Sequence, residues 1–492
     1  MATSRLQFDV GFGPTGARAR AADAPLRMLV MADLGGSQRA ALGARQPLLV
    51  DIDNFDAVFA KVAPALSIDL DGLPVALRYT SMDDFHPDAL LDRLAPFEAL
   101  RQLRAELDDP ARFRQAAAAL GLSATAPAPA SAAPGAQTAS ADIERLLGRK
   151  PSAEPAPAQD ASGVLQAWLS QLMAPHVVAQ AAPEQRAWAA AADEALGALM
   201  RQVLHHPQVQ ALEATWRGVD RLVRGLDLGQ TLQVHLLDIG RPEIDADLAA
   251  HAADLSGSAL HQHLAGGASA QSGRWGLFVL DQAFGPDAAD VQTLAALGAM
   301  AARAGAPLLA AATPQAVGCQ AVAQLAEPRR WLPGDAPELA HWAALRTSPM
   351  AAWIGLALPR VLLRLPYGAA TDRIGRFAFE EMPAPRPHAA YLWGHGALSL
   401  ALLAGRAFQE DGWSLDLDQQ LDLDDLPSHV VTEDGERVQQ PGAELLLSEP
   451  AAQAVALRGP MPLMSWRDRP AARLLRWQSL SDPPTALQGL GD

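Results

Sequence analysis

Between residues 123 and 163 the chain reads SATAPAPASAAPGAQTAS and, further on, KPSAEPAPAQDASG, and this stretch constrains the fold more than any other. Pro, Ala and Ser without apolar periodicity bury too little surface to offset the entropy of ordering the backbone, so an extended tether is expected. Between its halves, ADIERLLGRK sets Ile143, Leu146 and Leu147 at helical spacing with Gly148 as a stop. That insert reads as a helical turn, or as a short recognition helix held in the tether. A chain of 492 residues also exceeds what one core usually serves. The expected organisation is a unit over residues 1–122, a linker over 123–163 and a second unit over 164–492.

Both flanks carry periodic apolar patterns. Before the tether, RLQFDV alternates as a strand, PLRMLVMADL and QPLLVDIDNF read as buried strands, and DALLDRLAPFEALRQLRAEL reads as amphipathic helix. After it, residues 163–205 read as helical, with Trp168, Leu169, Leu172, Leu196, Leu199 and Met200 on apolar stripes. TLQVHLLDI, WGLFVLD, PLLAAAT and WIGLALPRVLLRLPY then supply strands or apolar segments between helices such as DVQTLAALGAMAARAG. Alternating strand and helix predicts a mixed α/β fold.

Charge and cysteine content narrow the function. The net charge of −16 argues against a general nucleic-acid or anionic-membrane binder, although Arg93, Arg101, Arg104, Arg112 and Arg114 offer a local basic face. Cys319 is the single cysteine, which excludes an intramolecular disulfide and a thiolate zinc site and fits a reducing compartment. MATSRLQFDV has no apolar core of signal-peptide length, and the longest apolar runs, Ala306–Ala312 and Ala397–Ala404, fall far short of a membrane span. A cytoplasmic protein, not inserted in membranes, is expected.

Several motifs imitate active sites. GFGPTG places Gly11, Gly13 and Gly16 after a strand, with Asp33 ending the next, as in a dinucleotide fold. Only ARARAADAPL, with Pro25 in it, separates Gly16 from that next strand, too little for a crossover helix. A nucleotide-dependent oxidoreductase is therefore the alternative from another class, and a glycine-rich turn is the expectation. MDDFHPDAL gathers Asp83, Asp84 and His86, but Pro87 opens a helix that Asp83 or Asp84 is placed to cap. LDLDQQLDLDDLP alternates Leu with Asp; Asp416 and Asp418 have calcium-loop spacing without the loop's glycine or closing glutamate, so a solvated strand face is expected. Cys319, among small apolar residues, is expected to be a buried inert thiol. No catalytic residue, cofactor or metal ligand is assigned.

LHHPQVQALEATWRGV is the most informative stretch. Adjacent helical side chains diverge by about 100°, so His205 and His206 cannot share a metal. Pro207 ends one helix and opens the next, where Val209, Leu212, Trp216 and Val219 form one stripe. Glu213 and Arg217 can pair at i, i+4, and Gly218 permits close approach. Together they build a helix–helix corner.

The segments above resemble a family. LHHPQVQALEATWRGVDRLV is similar to the hallmark of the large contractile-sheath subunit of bacterial type VI secretion (TssC, or VipB), here carried by His206, Pro207, Glu213, Trp216, Arg217 and Gly218. WIGLALPRVLLRLPYG with FAFEE resembles its second hallmark, through Pro359, Arg360, Arg364, Pro366, Tyr367 and Gly368, and AYLWGHGALSLALLAGRAFQEDGW and LPSHVV follow in the family's order. Upstream, PLRMLVMADLGG, QPLLVDIDNFDAVFAKVAP and YTSMDDFHPDAL resemble the small sheath subunit (TssB, or VipA). The resemblance implies a fusion of small and large subunits with phage-tail-sheath-like folds. It implies a mechanical component, not an enzyme: self-association or assembly with other sheath subunits, around inner-tube hexamers, above a baseplate, and recycling by a ClpV-type AAA+ ATPase. RLQFDVGFG would be the strand donated to a neighbour, with Leu6, Phe8 and Val10 on its apolar face. The large subunits of the family run on past LLRWQSLSDPP; a shortened end implies, as an alternative, a cap or adaptor at the baseplate.

Overall fold

The strand from Leu26 to Ala32 (β1) is buried at all seven positions, with no polar alternation. A run of that kind is what a strand needs when both faces of its sheet are covered. This computed structural model describes residues 23–37, 39–109, 111–113, 115–116, 185–265, 273–383, 386–433, 435–466 and 469–490. The tether, the segment with Leu6, Phe8, Val10, Gly11, Gly13 and Gly16, the residues Trp168, Leu169 and Leu172, and Arg114 lie outside the described residues.

In chain order β1 is followed by β2 (Leu48–Val50), α1 (Phe55–Val62), the hairpin β3 (Ala65–Leu70) and β4 (Leu73–Arg78), then α2 (Pro87–Arg93) and α3 (Ala95–Asp108). The description resumes with α4 (Gln185–Leu204), α5 (Pro207–Arg224), β5 (Leu232–Asp238), α6 (Arg241–Ala250), α7 (Ala259–Ala265), β6 (Leu277–Phe284), α8 (Ala288–Ala304), β7 (Leu308–Ala312) and α9 (Ala340–Arg346). Then come β8 (Ile354–Leu358), the short pair β9 (Val361–Leu362) and β10 (Trp393–Gly394), and α10 (Gly396–Asp411). β11 (Asp422–Leu423), the hairpin β12 (His429–Glu433) and β13 (Glu436–Gln440), α11 (Glu449–Leu457), β14 (Met461–Ser465) and β15 (Ala472–Leu474) complete the fold.

Nine strands form one sheet in the order β11-β15-β14-β8-β7-β6-β1-β5-β2. β1 lies between β5 and β6, parallel to both, with Val30 opposite Leu236 on one side and Val279 on the other. Strands from before and after the tether therefore share a single hydrogen-bonded sheet. Its two faces have separate cores. Met28 and Val30 face a core with α1, α3, α4, α5 and α10, whereas Leu29 and Met31 face one with α6, α7, α8 and α11. Period-two alternation along β1 sorts the helices into two layers around the sheet.

Four local expectations change. QPLLVDIDNF yields only the three-residue β2, an edge strand with Leu49 exposed, instead of a buried strand. DALLDRLAPFEALRQLRAEL is two helices: Leu94 takes φ −95°, ψ 126°, because Pro96 has no N–H to continue the first ladder and instead starts the second helix. Asp84 closes a capping box with Ser81 on a 3₁₀ turn, and the cap of α2 is His86, whose Nδ1 accepts from the Asp88 N–H at 3.2 Å. The Leu/Asp segment is not a strand; it makes a 3₁₀ turn over Leu417–Gln419, capped by Asp416, before the two-residue β11. Leu415 and Leu423 are still buried and Asp416 and Asp418 still exposed. The arginines of α2 and α3 are paired, as Arg93–Asp84, Arg101–Asp92 and Arg104–Asp193.

Candidate functional site

α4 and α5 meet at a corner two residues long. His206 leaves the helical region at φ −62°, ψ 128°, and its Nδ1 accepts from the Gln208 N–H at 3.3 Å, while Pro207 occupies the first turn of α5. The same His-Pro device starts α2 at His86–Pro87, so both histidines cap helices with a ring nitrogen. The corner aims α5 across the sheet with Glu213, Trp216 and Gly218 pointing inward; all three are buried.

Glu213 is the centre of an ionic knot. Its Oε1 accepts from Arg217 Nε at 2.7 Å and from Arg364 Nε at 2.7 Å. Arg364 also reaches Glu213 Oε2 at 3.3 Å, both oxygens of Glu381 at 2.7 and 3.1 Å, and the Leu365 carbonyl at 3.1 Å. All five guanidinium N–H groups are thereby used, the condition under which a buried arginine is tolerated. Glu381 Oε2 also accepts from the Tyr367 backbone N–H at 2.7 Å, Arg217 donates to the Tyr367 hydroxyl at 3.1 Å, and the Arg364 guanidinium stacks 4.2 Å from the Tyr367 ring. Two carboxylates and two guanidiniums leave no net charge inside.

Burial alone would raise the Glu381 carboxyl, but Arg364, His205 and the Tyr367 N–H hold it down at about 2. Burial would lower Arg364, and Glu213 and Glu381 together push it well above the usual guanidinium range. The Tyr367 phenol is raised, chiefly by burial. Every knot carboxylate is committed to fixed donors, and the network ties α5 to the segment around Arg364 and to Glu381.

The remaining hallmark residues support it. Pro359 follows a cis peptide bond, and Arg360 is held by Glu444, whose Oε2 accepts from the Arg360 N–H at 3.0 Å and whose Oε1 accepts from Nε at 3.0 Å. The Pro366 carbonyl accepts from the Thr371 hydroxyl, and Gly368 leaves the room that the Glu380 carboxylate occupies. At Gly218 a Cβ would come within 2.5 Å of Leu398 Cδ1, which is the close approach of α5 to α10. Trp216 donates to the Leu34 carbonyl at 3.1 Å and packs 4.4 Å from the Phe59 ring and 5.9 Å from the Phe55 ring, joining α5 to β1 and α1. The loop after Tyr367 docks on α2, where Asp88 accepts from the Gly375 and Arg376 N–H groups at 3.0 and 3.2 Å and His86 lies edge-on to Tyr367 at 5.0 Å.

Glu444 was not singled out in the sequence, and Glu381 entered only as the last residue of FAFEE, with no partner assigned. The available signal was Arg360 and Arg364 inside apolar runs, since a buried guanidinium demands an acid. Cys319 is 1% exposed with its thiol pushed up to about 12 by burial, an inert side chain. Among the described residues no cluster of three or more His, Cys, Asp or Glu is arranged to hold a metal, and no helix is long and apolar enough to cross a membrane.

Residues 186–481 match the family described as EvpB/VC_A0108, tail sheath N-terminal domain, and residues 5–116 match the one described as Type VI secretion system, VipA, VC_A0107 or Hcp2. The chain is 31% identical over 302 residues to the type VI secretion system sheath protein TssC1 of Pseudomonas aeruginosa, covering 60% of this chain and 61% of that protein. It is 32% identical over 93 residues to the sheath protein TssB1 of the same organism, covering 17% of this chain and 54% of that protein. The chain thus spans less than two thirds of the length of each relative.

Proposed function

This chain belongs to the tail-sheath family of type VI secretion systems, and from that premise we propose that it is a structural component of a contractile sheath, with the small and large sheath subunits joined in one polypeptide. The observation that carries the reading is β1 lying between β5 and β6: the part that matches the small-subunit family is hydrogen-bonded into the sheet of the part that matches the large-subunit family. A fused chain delivers both halves at fixed stoichiometry and holds the second strand set at high effective concentration. In this reading the Trp216 seam joins the two parts through α5, and the ionic knot anchors α5 within the large-subunit part, so that load passes from one to the other.

In this reading the protein works in the cytoplasm and is not an enzyme. It assembles with itself or with separate sheath subunits, surrounds inner-tube hexamers and abuts a baseplate. The segment with Leu6, Phe8 and Val10 adds as a strand to a neighbouring copy, and a ClpV-type AAA+ ATPase disassembles the contracted form. Electron microscopy of the full-length protein, alone and mixed with inner-tube hexamers, tests it. Rings or helical tubes support the proposal; no assembly and no association with tube or baseplate overturn it. Copy number per sheath then separates bulk lattice, with hundreds, from an end cap, with six or twelve.

A further inference from the structure

The seam where β1 lies beside β5 takes its arginines from one side only. β1 and the loop after it, in the small-subunit part, supply Arg27, Arg39 and Arg45, and the large-subunit part supplies acceptors for all three. At the carboxyl end of the strands, Arg39 Nε donates to Asp238 Oδ2 at 2.9 Å and Nη1 to Glu243 Oε2 at 3.3 Å. Arg45 Nη1 donates to the Asp238 carbonyl at 2.5 Å and to Glu243 Oε2 at 3.1 Å, and Nη2 donates to Glu243 Oε1. Asp33 and the Ala40 carbonyl, on the arginines' own side, accept further bonds from Arg39 and Arg45. At the amino end, Arg27 is 6% exposed. Its Nη1 donates to the Gly273 carbonyl at 2.7 Å and Nε to Gln233 Oε1 at 3.3 Å, with the guanidinium 4.3 Å from the Trp275 ring.

Asp238 shows what this arrangement demands of a partner. Its side chain is 15% exposed, and among the described residues its carboxylate accepts from the Leu34 N–H at 2.8 Å and from Arg39. Both donors lie in the small-subunit part. Burial pushes the Asp238 carboxyl up, against the pull of Arg39 and the Leu34 N–H. A large-subunit part docked on a strand without that arginine keeps a largely buried acid with no counter-ion. A stranded charge rejects the wrong partner more strongly than a missing contact does. The shape of the cation matters as well as its sign: Arg39 and Arg45 each bridge several oxygens with one planar fork, which an ammonium cannot reproduce. A pair running the other way, Arg376 with Asp92, lies off the sheet with both side chains exposed, where an ion pair contributes little.

We propose that the seam between β1 and β5 selects its partner. The large-subunit part accepts a small-subunit part that presents guanidinium groups at the positions of Arg27, Arg39 and Arg45, and Asp238 rejects one that does not. Beside separate small subunits, the fused chain then keeps its own strand unless the competitor carries the same arginines. The inference rests on the reading of the chain as two joined subunits.

Hydrogen–deuterium exchange on the full-length chain tests it, because opening at β1 and β5 measures how well this large part holds a given small part. Arg39→Gln should speed exchange in β1 and β5 by about tenfold, with α10 and the segment around Arg364 unchanged as internal standards. Arg39→Lys keeps the charge and should recover only part of the protection. Asp238→Asn removes the acid but keeps an acceptor for the Leu34 N–H, and in that background Arg39→Gln should alter exchange by less than about twofold. Arg27→Gln should loosen the amino end of β1 whatever residue stands at 238. Four results overturn the proposal: unchanged exchange in Arg39→Gln, full recovery with lysine, an undiminished Arg39→Gln effect beside Asp238→Asn, or equal loosening of α10. Electron microscopy of rings or tubes bears on the sheath reading alone, so the two fail separately.

Discussion

Helix α5 serves two joints built on opposite physical terms. Through Trp216 it meets β1 and α1 in an apolar seam with one hydrogen bond, from the indole to the Leu34 carbonyl. Through Glu213 it meets the second hallmark in a knot where ion pairs and hydrogen bonds carry the contact. Dry packing is graded: lost area and lost contacts accrue atom by atom. A buried ion network is close to all-or-none, because removing one partner strands another in low dielectric. The helix thus couples a compliant joint, facing the small-subunit part, to a brittle one inside the large-subunit part.

The brittle side offers the largest effects. Arg364→Ala leaves Glu213 and Glu381 without their shared counter-ion and is expected to cost about 3–5 kcal/mol, read by urea denaturation. Arg364→Lys should recover only part of this, since an ammonium cannot reproduce the planar fork that satisfies both carboxylates. If Arg364→Ala costs no more than an ordinary surface substitution, the contrast between the joints is wrong.

The knot also predicts an acid limb. Glu381 is lowered from an ordinary 4.5 to about 2, so its contribution is complete above the unfolded value and is withdrawn as pH falls from about 4.5 toward 2. The shift corresponds to about 3 kcal/mol, and Glu381→Gln should flatten the loss of stability across that window while lowering it at neutral pH. His235, held at about 4 by burial and by Arg27, adds destabilisation as pH falls below its ordinary 6.5, and Glu381→Gln should leave that earlier phase intact. A single phase that vanishes with Glu381 would contradict this separation.

Gly218→Ala probes where the two regimes meet. The added Cβ would sit 2.5 Å from Leu398 Cδ1, so α5 and α10 must part or Leu398 must change rotamer. Overpacking of this kind costs about 1–3 kcal/mol. A companion Leu398→Ala change should recover part of it, which a thermal melt of the double variant would register.

Local chemistry made the corner legible and left the sheet hidden. His206–Pro207 and the i, i+4 pair of Glu213 with Arg217 are decided within a few residues, and sequence spacing reports such neighbours. The partner of Arg364 lies at Glu381, across a loop with no periodicity, and that of Arg360 at Glu444, farther still. The sequence demanded acids for both guanidiniums without saying which. The sheet order is hidden for a similar reason: β1 is an apolar run broken only by Arg27, and nothing in such a run names β5 and β6 as its neighbours. The α2–α3 break and the β2 edge turned on single prolines and on burial of one face, which pattern reading averages over.

The mildest substitution tests the compliant joint most directly. Trp216→Phe keeps an aromatic ring against Phe55 and Phe59 but removes the indole N–H, leaving the Leu34 carbonyl without that donor. The expected cost is about 1–2 kcal/mol, one hydrogen bond plus a small packing loss. Leu34 lies two residues beyond the end of β1, so the effect should be read locally as well, as faster amide exchange in β1 and α1 with α10 unchanged. Were exchange to rise equally in α10 and around Arg364, the two flanks of α5 would form one cooperative unit, and the division of labour argued from their chemistry would fail. If only β1 and α1 loosen, the seam is a separable joint, and the ionic knot keeps α5 in register while the small-subunit part yields.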